Sequence, residues 1–173
     1  MLRHSMTTPI LPDAEQLLAA LTTQMRPHVT PQTGLIGIVT GGVWLAARLH
    51  RALALEVPYG SLDVSFYRDD FEHKGLKHKV APSDIPFEVE GRDLILVDDV
   101  LYTGRTIRAA MNELFDYGRP ASIRLATLVD RGGRELPIAP QFVGTELEVP
   151  AQYSIDLEQA DRDTLRLILQ TTN

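Results

Sequence analysis

The segment of this chain best equipped for chemistry is Asp98-Asp99-Val100-Leu101-Tyr102-Thr103-Gly104-Arg105-Thr106. It pairs two adjacent carboxylates with a short turn of hydroxyls and glycine. The apolar run Leu94-Ile95-Leu96-Val97 leads into it, and a helical pattern starts at about Arg105. A helix N-terminus presents free backbone N–H groups and the positive end of the helix dipole, which suits a phosphate. Thr103 and Thr106 add hydroxyl donors, and Gly104 lets a backbone approach closely. Adjacent acids suit two neighbouring hydroxyls, or a hydrated Mg²⁺ held through few carboxylates. A site that takes both a phosphate and a diol is a sugar phosphate site. The plainer alternative, aspartates that close a strand and a glycine that turns the chain, accounts for two acids but not for the whole nine-residue run. The segment is not a GxxxxGK[ST] loop, and no GxGxxG follows a strand.

Other elements must position that segment. Leu17, Leu18, Leu21 and Met25 recur at helical spacing, which predicts a helix over Asp13–Met25 behind Pro12. Leu35–Val39 is a short apolar run of strand length. Gly41-Gly42 breaks it, and a second helix is predicted over Val43–Leu55. Ser61–Tyr67 alternates as a strand does, with Leu62, Val64 and Phe66 on one face. Arg68–Pro86 is polar and punctuated by proline, and reads as a long flexible loop. Asp93–Val97 is apolar on both faces, as a central parallel strand requires. A helix over Arg105–Phe115 follows, then a strand over Ser122–Val129 and a turn over Asp130–Gly133. Phe142-Val143 and Tyr153–Leu157 are weaker strand candidates. Asp161–Gln170, acidic in its first turn, reads as a C-terminal helix. Strands alternating with helices predict an α/β fold with a mainly parallel central sheet flanked by helices. Ligands in such sheets sit at the carboxyl ends of the strands, which is where Asp98 and Asp99 fall.

The chain has 173 residues, a length that predicts one domain over 1–173, with residues 1–12 as an N-terminal tail. The 17 basic and 23 acidic side chains give a net charge of −6, which argues against nonspecific binding to nucleic acid. Cysteine is absent, so disulfides, thiolate nucleophiles and cysteine-based metal sites are excluded, and a reducing compartment is compatible. The five histidines show no HxxxH pair, so no dedicated metal site is expected. His50 reads as an exposed polar residue and Trp44 as a packing residue. No apolar run reaches the roughly 18 residues of a membrane helix, and no signal peptide is evident. The expected location is the cytoplasm.

LILVDDVLYTGRTIRAA, over residues 94–110, resembles the PRPP-binding motif of the type I phosphoribosyltransferases. With Tyr67-Arg68-Asp69-Asp70 upstream and Leu128–Ile138 (LVDRGGRELPI) downstream, the chain is similar to the PyrR family from about Ala14 to Leu169. That family comprises pyrimidine regulators that also act as uracil phosphoribosyltransferases. The resemblance implies a type I phosphoribosyltransferase fold and transfer of ribose phosphate from phosphoribosyl pyrophosphate (PRPP) to uracil, giving UMP and pyrophosphate. It implies that Asp98 and Asp99 hold the ribose hydroxyls, with Mg²⁺ bound mainly through PRPP. Thr103, Gly104, Arg105 and Thr106 would cradle the 5′-phosphate, with Val100, Leu101 and Tyr102 leading into that cradle. Thr40-Gly41 would form the pyrophosphate loop. Val129, Asp130 and Arg131 would lie near the base, and Arg68–Pro86 would close over the substrate. A homodimer or higher homo-oligomer is implied as well.

The sequence departs from the family twice. Many relatives carry Lys-Thr-Arg-Gly in the pyrophosphate loop, whereas this chain carries Val39-Thr40-Gly41-Gly42. Threonine and glycine still offer backbone N–H groups as an anion nest, but the bidentate contact of an arginine is gone. Lys74, Lys77 and Lys79 stand in the loop as replacement charge or as solvated residues. An arginine restored at Gly41 is expected to strengthen pyrophosphate binding. The second departure concerns RNA, which family members contact through basic residues on the N-terminal helix and after the VDRG segment. Here Ala19, Ala20 and Thr23, then Gly133, Ala139 and Thr145, occupy those positions, and Arg134 alone keeps a charge. Three readings follow. The first is a uracil phosphoribosyltransferase. The second is a regulator that binds UMP or PRPP with little turnover. The third is a phosphoribosyltransferase for another base, a purine or orotate, whose carboxylate Arg131 could meet.

Overall fold

The computed structural model describes residues 8–64 and 83–172. Helix α1 (Ala14–Met25) starts behind Asp13, whose carboxylate accepts the Gln16 amide at 3.0 Å and caps the first turn. Strand β1 (Gly34–Ile38) leads into α2 (Gly41–Ala52), and β2 (Gly60–Leu62) follows. Then come β3 (Asp93–Leu101), α3 (Arg105–Leu114), β4 (Ser122–Asp130) and β5 (Phe142–Glu146). The chain ends in β6 (Tyr153–Gln159) and β7 (Leu165–Thr171).

Five strands form a parallel sheet in the order β2-β1-β3-β4-β5, so the most apolar strand, β3, is central as its two-faced pattern requires. Its side chains alternate between two cores. Ile95 and Val97 pack with Leu18, Leu21, Leu45 and Leu49 of α1 and α2. Leu94 and Leu96 pack with Ile107, Ala110 and Leu114 of α3. The outer edge of β5 is closed by Gln24 of α1, whose side-chain amide donates to the Val143 carbonyl (2.8 Å) and accepts its N–H (3.3 Å). A strand edge left open would invite pairing with other chains.

The predicted C-terminal helix over Asp161–Gln170 is a strand instead. Leu165, Leu167 and Leu169 alternate onto the first core, and β7 pairs antiparallel with β6, Leu157 opposite Leu167. A period of two, not 3.6, governs the run. The predicted strand Ser61–Tyr67 is shorter, as β2 stops at Leu62, and Ser65–Tyr67 lie outside the described residues. So does most of the expected Arg68–Pro86 loop, with Asp69, Asp70 and the three lysines. Its described end is anchored: Asp84 bridges to Ser61, and the Ser83 hydroxyl donates to Glu113 (2.6 Å). His50 is half-buried rather than exposed. Its Nε2 bonds the Val57 carbonyl at 2.8 Å, and its ring meets Tyr59 edge-on. Trp44 packs against the first core.

The β6–β7 hairpin is tied to the helices by one ion pair. Arg48 of α2 bonds both carboxylate oxygens of Glu15 on α1 (3.0 and 2.6 Å) and donates to the Asp163 carbonyl (3.0 Å). Glu15 in turn accepts the Leu165 amide at 2.8 Å. The Arg48 hydrogen bond holds the Glu15 carboxyl below its ordinary value of 4.5, against the opposing pull of burial. A depressed folded value means that the pair's stability is present above the unfolded value and is lost as pH falls through the folded one. Glu15→Gln is expected to lose about 1 kcal/mol, roughly 2–4 °C in melting temperature, at pH 7. The gap should close as the pH drops below the ordinary glutamate value, which paired thermal melts across acidic pH will show.

Candidate functional site

Both helices that follow a sheet strand into the site, α2 and α3, start without a side-chain cap. Helix α1, remote from the site, has one. The capping residues at the site are Thr40 and Gly104. First-turn amides lie at the positive end of the helix dipole and can donate to an anion. Two of them are already held, the Val43 amide by the Thr40 carbonyl (3.1 Å) and the Arg105 amide by the Thr103 hydroxyl (3.2 Å). Gly104 has φ +93°, a left-handed conformation natural to glycine. An added Cβ would press on Ile138 at 3.3 Å, so both backbone shape and close packing fix the residue.

Strand β3 does not end before the aspartates, as the sequence suggested, but runs through them to Leu101. Each carboxylate is satisfied locally: Asp98 accepts the Asp99 amide (3.0 Å), and Asp99 accepts the Val100 amide (2.9 Å). Both residues are buried, at 5% and 8% exposure. The strand period sends them to opposite faces. Asp98 lines an open cleft on the α3 side. Asp99 faces α2, where its Oδ2 stands 2.5 Å from the position a Cβ on Gly41 would take. Gly41-Gly42, expected to end the apolar run ahead of a helix from Val43, do follow the end of β1 and are themselves the first residues of α2; at Gly42 glycine is required for close approach. A Cβ on Gly42 would fall 2.3 Å from the Val97 carbonyl oxygen.

The cleft gathers Val100, Leu101, Tyr102, Gly104 and Thr106 with Asp98, and Arg131 joins them from the end of β4. Arg131 is buried, stacks its guanidinium 4.1 Å over the Tyr102 ring and donates to the Val149 carbonyl (3.3 Å). Its Nε is buried without a hydrogen-bond partner. Other expected site residues stand behind the cleft. Thr103 is buried, and its hydroxyl accepts the Arg105 amide (3.2 Å). Arg105 points outward to Glu135 (2.8 Å). Val129 is fully buried, and Asp130 pairs with Arg134 at 2.6 Å. Thr40 and Gly41 sit at the start of α2. Tyr67–Asp70 lie outside the described residues.

Sequence reasoning missed one wall of the cleft, Ser154, Ile155 and Asp156 of β6. The period-two run in β6 was visible, but nothing local tells which site a distant hairpin folds against. It also missed the role of residues 131–138. That segment holds the turn after β3 from behind: the Arg131 amide takes the Leu101 carbonyl (3.0 Å), and the Glu135 amide takes that of Thr103 (2.9 Å). Among the described residues no group of three or more His, Asp or Glu could hold a metal ion. An ion carried in by a polyphosphate would meet the Asp98 carboxylate in the cleft.

Residues 11–161 match the phosphoribosyl transferase domain family. The bifunctional protein PyrR of Pseudomonas paraeruginosa (strain DSM 24068 / PA7) is 53% identical over 152 residues, covering 85% of this chain and 89% of the relative. That of Pseudomonas savastanoi pv. phaseolicola is 49% identical over 161 residues, covering 91% and 95%. Among solved structures, a hypoxanthine-guanine phosphoribosyltransferase from Bacillus anthracis superposes with a TM-score of 0.64 at 21% identity, covering 81% of this chain and 84% of that one. The Leishmania tarentolae enzyme in complex with GMP gives 0.62 at 20% identity, covering 84% and 85%. At such identities these two structures speak for the fold alone.

Proposed function

The chain belongs to the PyrR family of type I phosphoribosyltransferases, and from that premise we propose that it converts uracil and PRPP to UMP and pyrophosphate. The observation that carries the reading is the pairing, in one cleft, of a buried carboxylate, Asp98, with the start of α3, whose capping residue, Gly104, has no side chain to occupy its amides. A diol and a phosphate five bonds apart on one ribose need that combination. In this reading Asp98, from within the cleft, and Asp99, from the α2 side of the carboxyl end of β3, accept the ribose hydroxyls. The turn Tyr102–Thr106 donates to the 5′-phosphate, and Thr40-Gly41 offers amides to the pyrophosphate. Arg131, with Val129 and Asp130 behind it, stands at the base.

Breaking the anomeric bond builds positive charge on the ribose, and buried carboxylates beside it stabilise that charge as it forms. Mg²⁺ bound through PRPP would supply neutralising charge for the leaving pyrophosphate. Positioning of the two reactants accounts for the remainder of the rate.

Regulation through UMP or PRPP uses the same site and accompanies this reading, since the relatives are named bifunctional. Contact with RNA has weaker support. Positions 133, 139 and 145 carry no charge, and the guanidinium of Arg134 is spent on Asp130 and two carbonyls. A cytoplasmic homo-oligomer of single-domain protomers, with Arg68–Pro86 closing over the substrate, completes the proposal. No helix among the described residues is long and apolar enough to cross a membrane.

The test is UMP formation from uracil, PRPP and Mg²⁺, with orotate, hypoxanthine and guanine in parallel. Turnover with uracil alone is expected. Turnover with another base would replace the substrate. Binding of UMP or PRPP without turnover on any base would leave a sensor.

A further inference from the structure

We propose that Arg134 is a positioning residue that holds the phosphate-binding turn in its binding shape. The inference rests on the reading of Tyr102–Thr106 as the phosphate site. Three consecutive carbonyls of the turn, those of Leu101, Tyr102 and Thr103, are taken from behind by the segment 131–136. A turn whose carbonyls are engaged on one side has its following amides released toward the other, where an anion is wanted. Two of the three carbonyls are held by backbone amides, those of Arg131 and Glu135. The middle one, Tyr102, accepts from the side chain of Arg134, through Nη1 at 2.6 Å.

Arg134 spends each of its nitrogens on a different acceptor. Nε donates to the Ile138 carbonyl (2.8 Å) and Nη2 to the Asp130 carboxylate (2.6 Å), while Nη1 serves Tyr102. Asp130 is itself fixed at the carboxyl end of β4, where its other oxygen accepts the Gly132 amide (3.0 Å). The guanidinium therefore ties the end of β4 to the turn after β3. A rigid planar fork can do this, whereas a lysine places one ammonium at one point. Arg134 does not line the cleft, so it acts on the ligand only through the turn.

The experiment compares wild type with Arg134→Lys, which keeps the charge beside Asp130, and Arg134→Met, in steady-state assays with uracil and PRPP. Ribose 5-phosphate and inorganic pyrophosphate serve as competitive probes. Both variants are expected to raise the KM for PRPP and the Ki of ribose 5-phosphate about tenfold, with kcat within about twofold and pyrophosphate inhibition unchanged. A merely structural role would lower kcat by reducing the competent fraction, without moving KM or either Ki, and that result overturns the proposal. So does full rescue by lysine, which would reduce Arg134 to a charge. If ribose 5-phosphate fails to inhibit the wild type, the phosphate-site reading falls and takes the proposal with it. Inhibition of the wild type with no change in the variants overturns the role of Arg134 alone.

Discussion

With Asp98 and Asp99 both replaced by asparagine, PRPP affinity is expected to fall between about a hundredfold and a thousandfold, on about 2 kcal/mol for each lost charge-assisted hydrogen bond. The fold should survive. The local bonds that each carboxylate makes, to the Asp99 amide and to the Val100 amide, need only an acceptor oxygen, which an asparagine carbonyl also provides. Removing two charges from positions 5% and 8% exposed also relieves a desolvation penalty. The melting temperature should therefore stay at or above that of the wild type while binding collapses. Calorimetric titration with PRPP reads the first quantity and a thermal melt the second. Unchanged PRPP affinity in the double variant would remove both aspartates from the site. A melting temperature far below wild type would make them structural.

Much of the frame could be read from residue order because its elements obey local rules. Strand β3 announces itself by apolar residues on both faces, and only a central strand tolerates that. Helix α1 has a cap, a stripe and a length, and it begins within a residue of its predicted start. The failures have a common cause. Asp161–Gln170 carries acidic residues where a helix would start, yet its leucines alternate at a period of two, and the partner strand that makes the alternation useful is β6. Local propensity lost to pairing with a neighbouring strand.

The candidate site divides in the same way. The segment 98–106 is contiguous and was visible as a unit. Ser154–Asp156 and the segment behind the turn reach the site from 25 to 50 residues beyond Thr106 in the chain. Arg134 looked like a leftover cation because sequence shows charge, not what the charge is paired with.

Gly41 carries the second large prediction and reverses an expectation drawn from the sequence. The absence of an arginine at this position looks like lost affinity for pyrophosphate, to be recovered by Gly41→Arg. A side chain at this position presses on Asp99. A Cβ at residue 41 would lie 2.5 Å from Oδ2, 2.9 Å from Cγ and 3.1 Å from Cβ of Asp99. Relief requires the Asp99 carboxylate to turn away from α2 and its Cβ, which is no mobile tip, to give by a few tenths of an ångström. A shift of about 1 Å in a positioning group can lower a rate roughly a hundredfold. Gly41→Arg and Gly41→Ala are therefore both expected to lower kcat/KM for PRPP by about that factor. Alanine isolates the steric part, because it adds the Cβ without the charge. Steady-state kinetics of the two variants side by side decide the matter. Equal losses mean that the loop acts through its backbone and that glycine is there to seat Asp99. An arginine variant that binds PRPP more tightly than wild type would mean that Asp99 yields easily, and that charge, not close packing, sets the strength of the pyrophosphate loop.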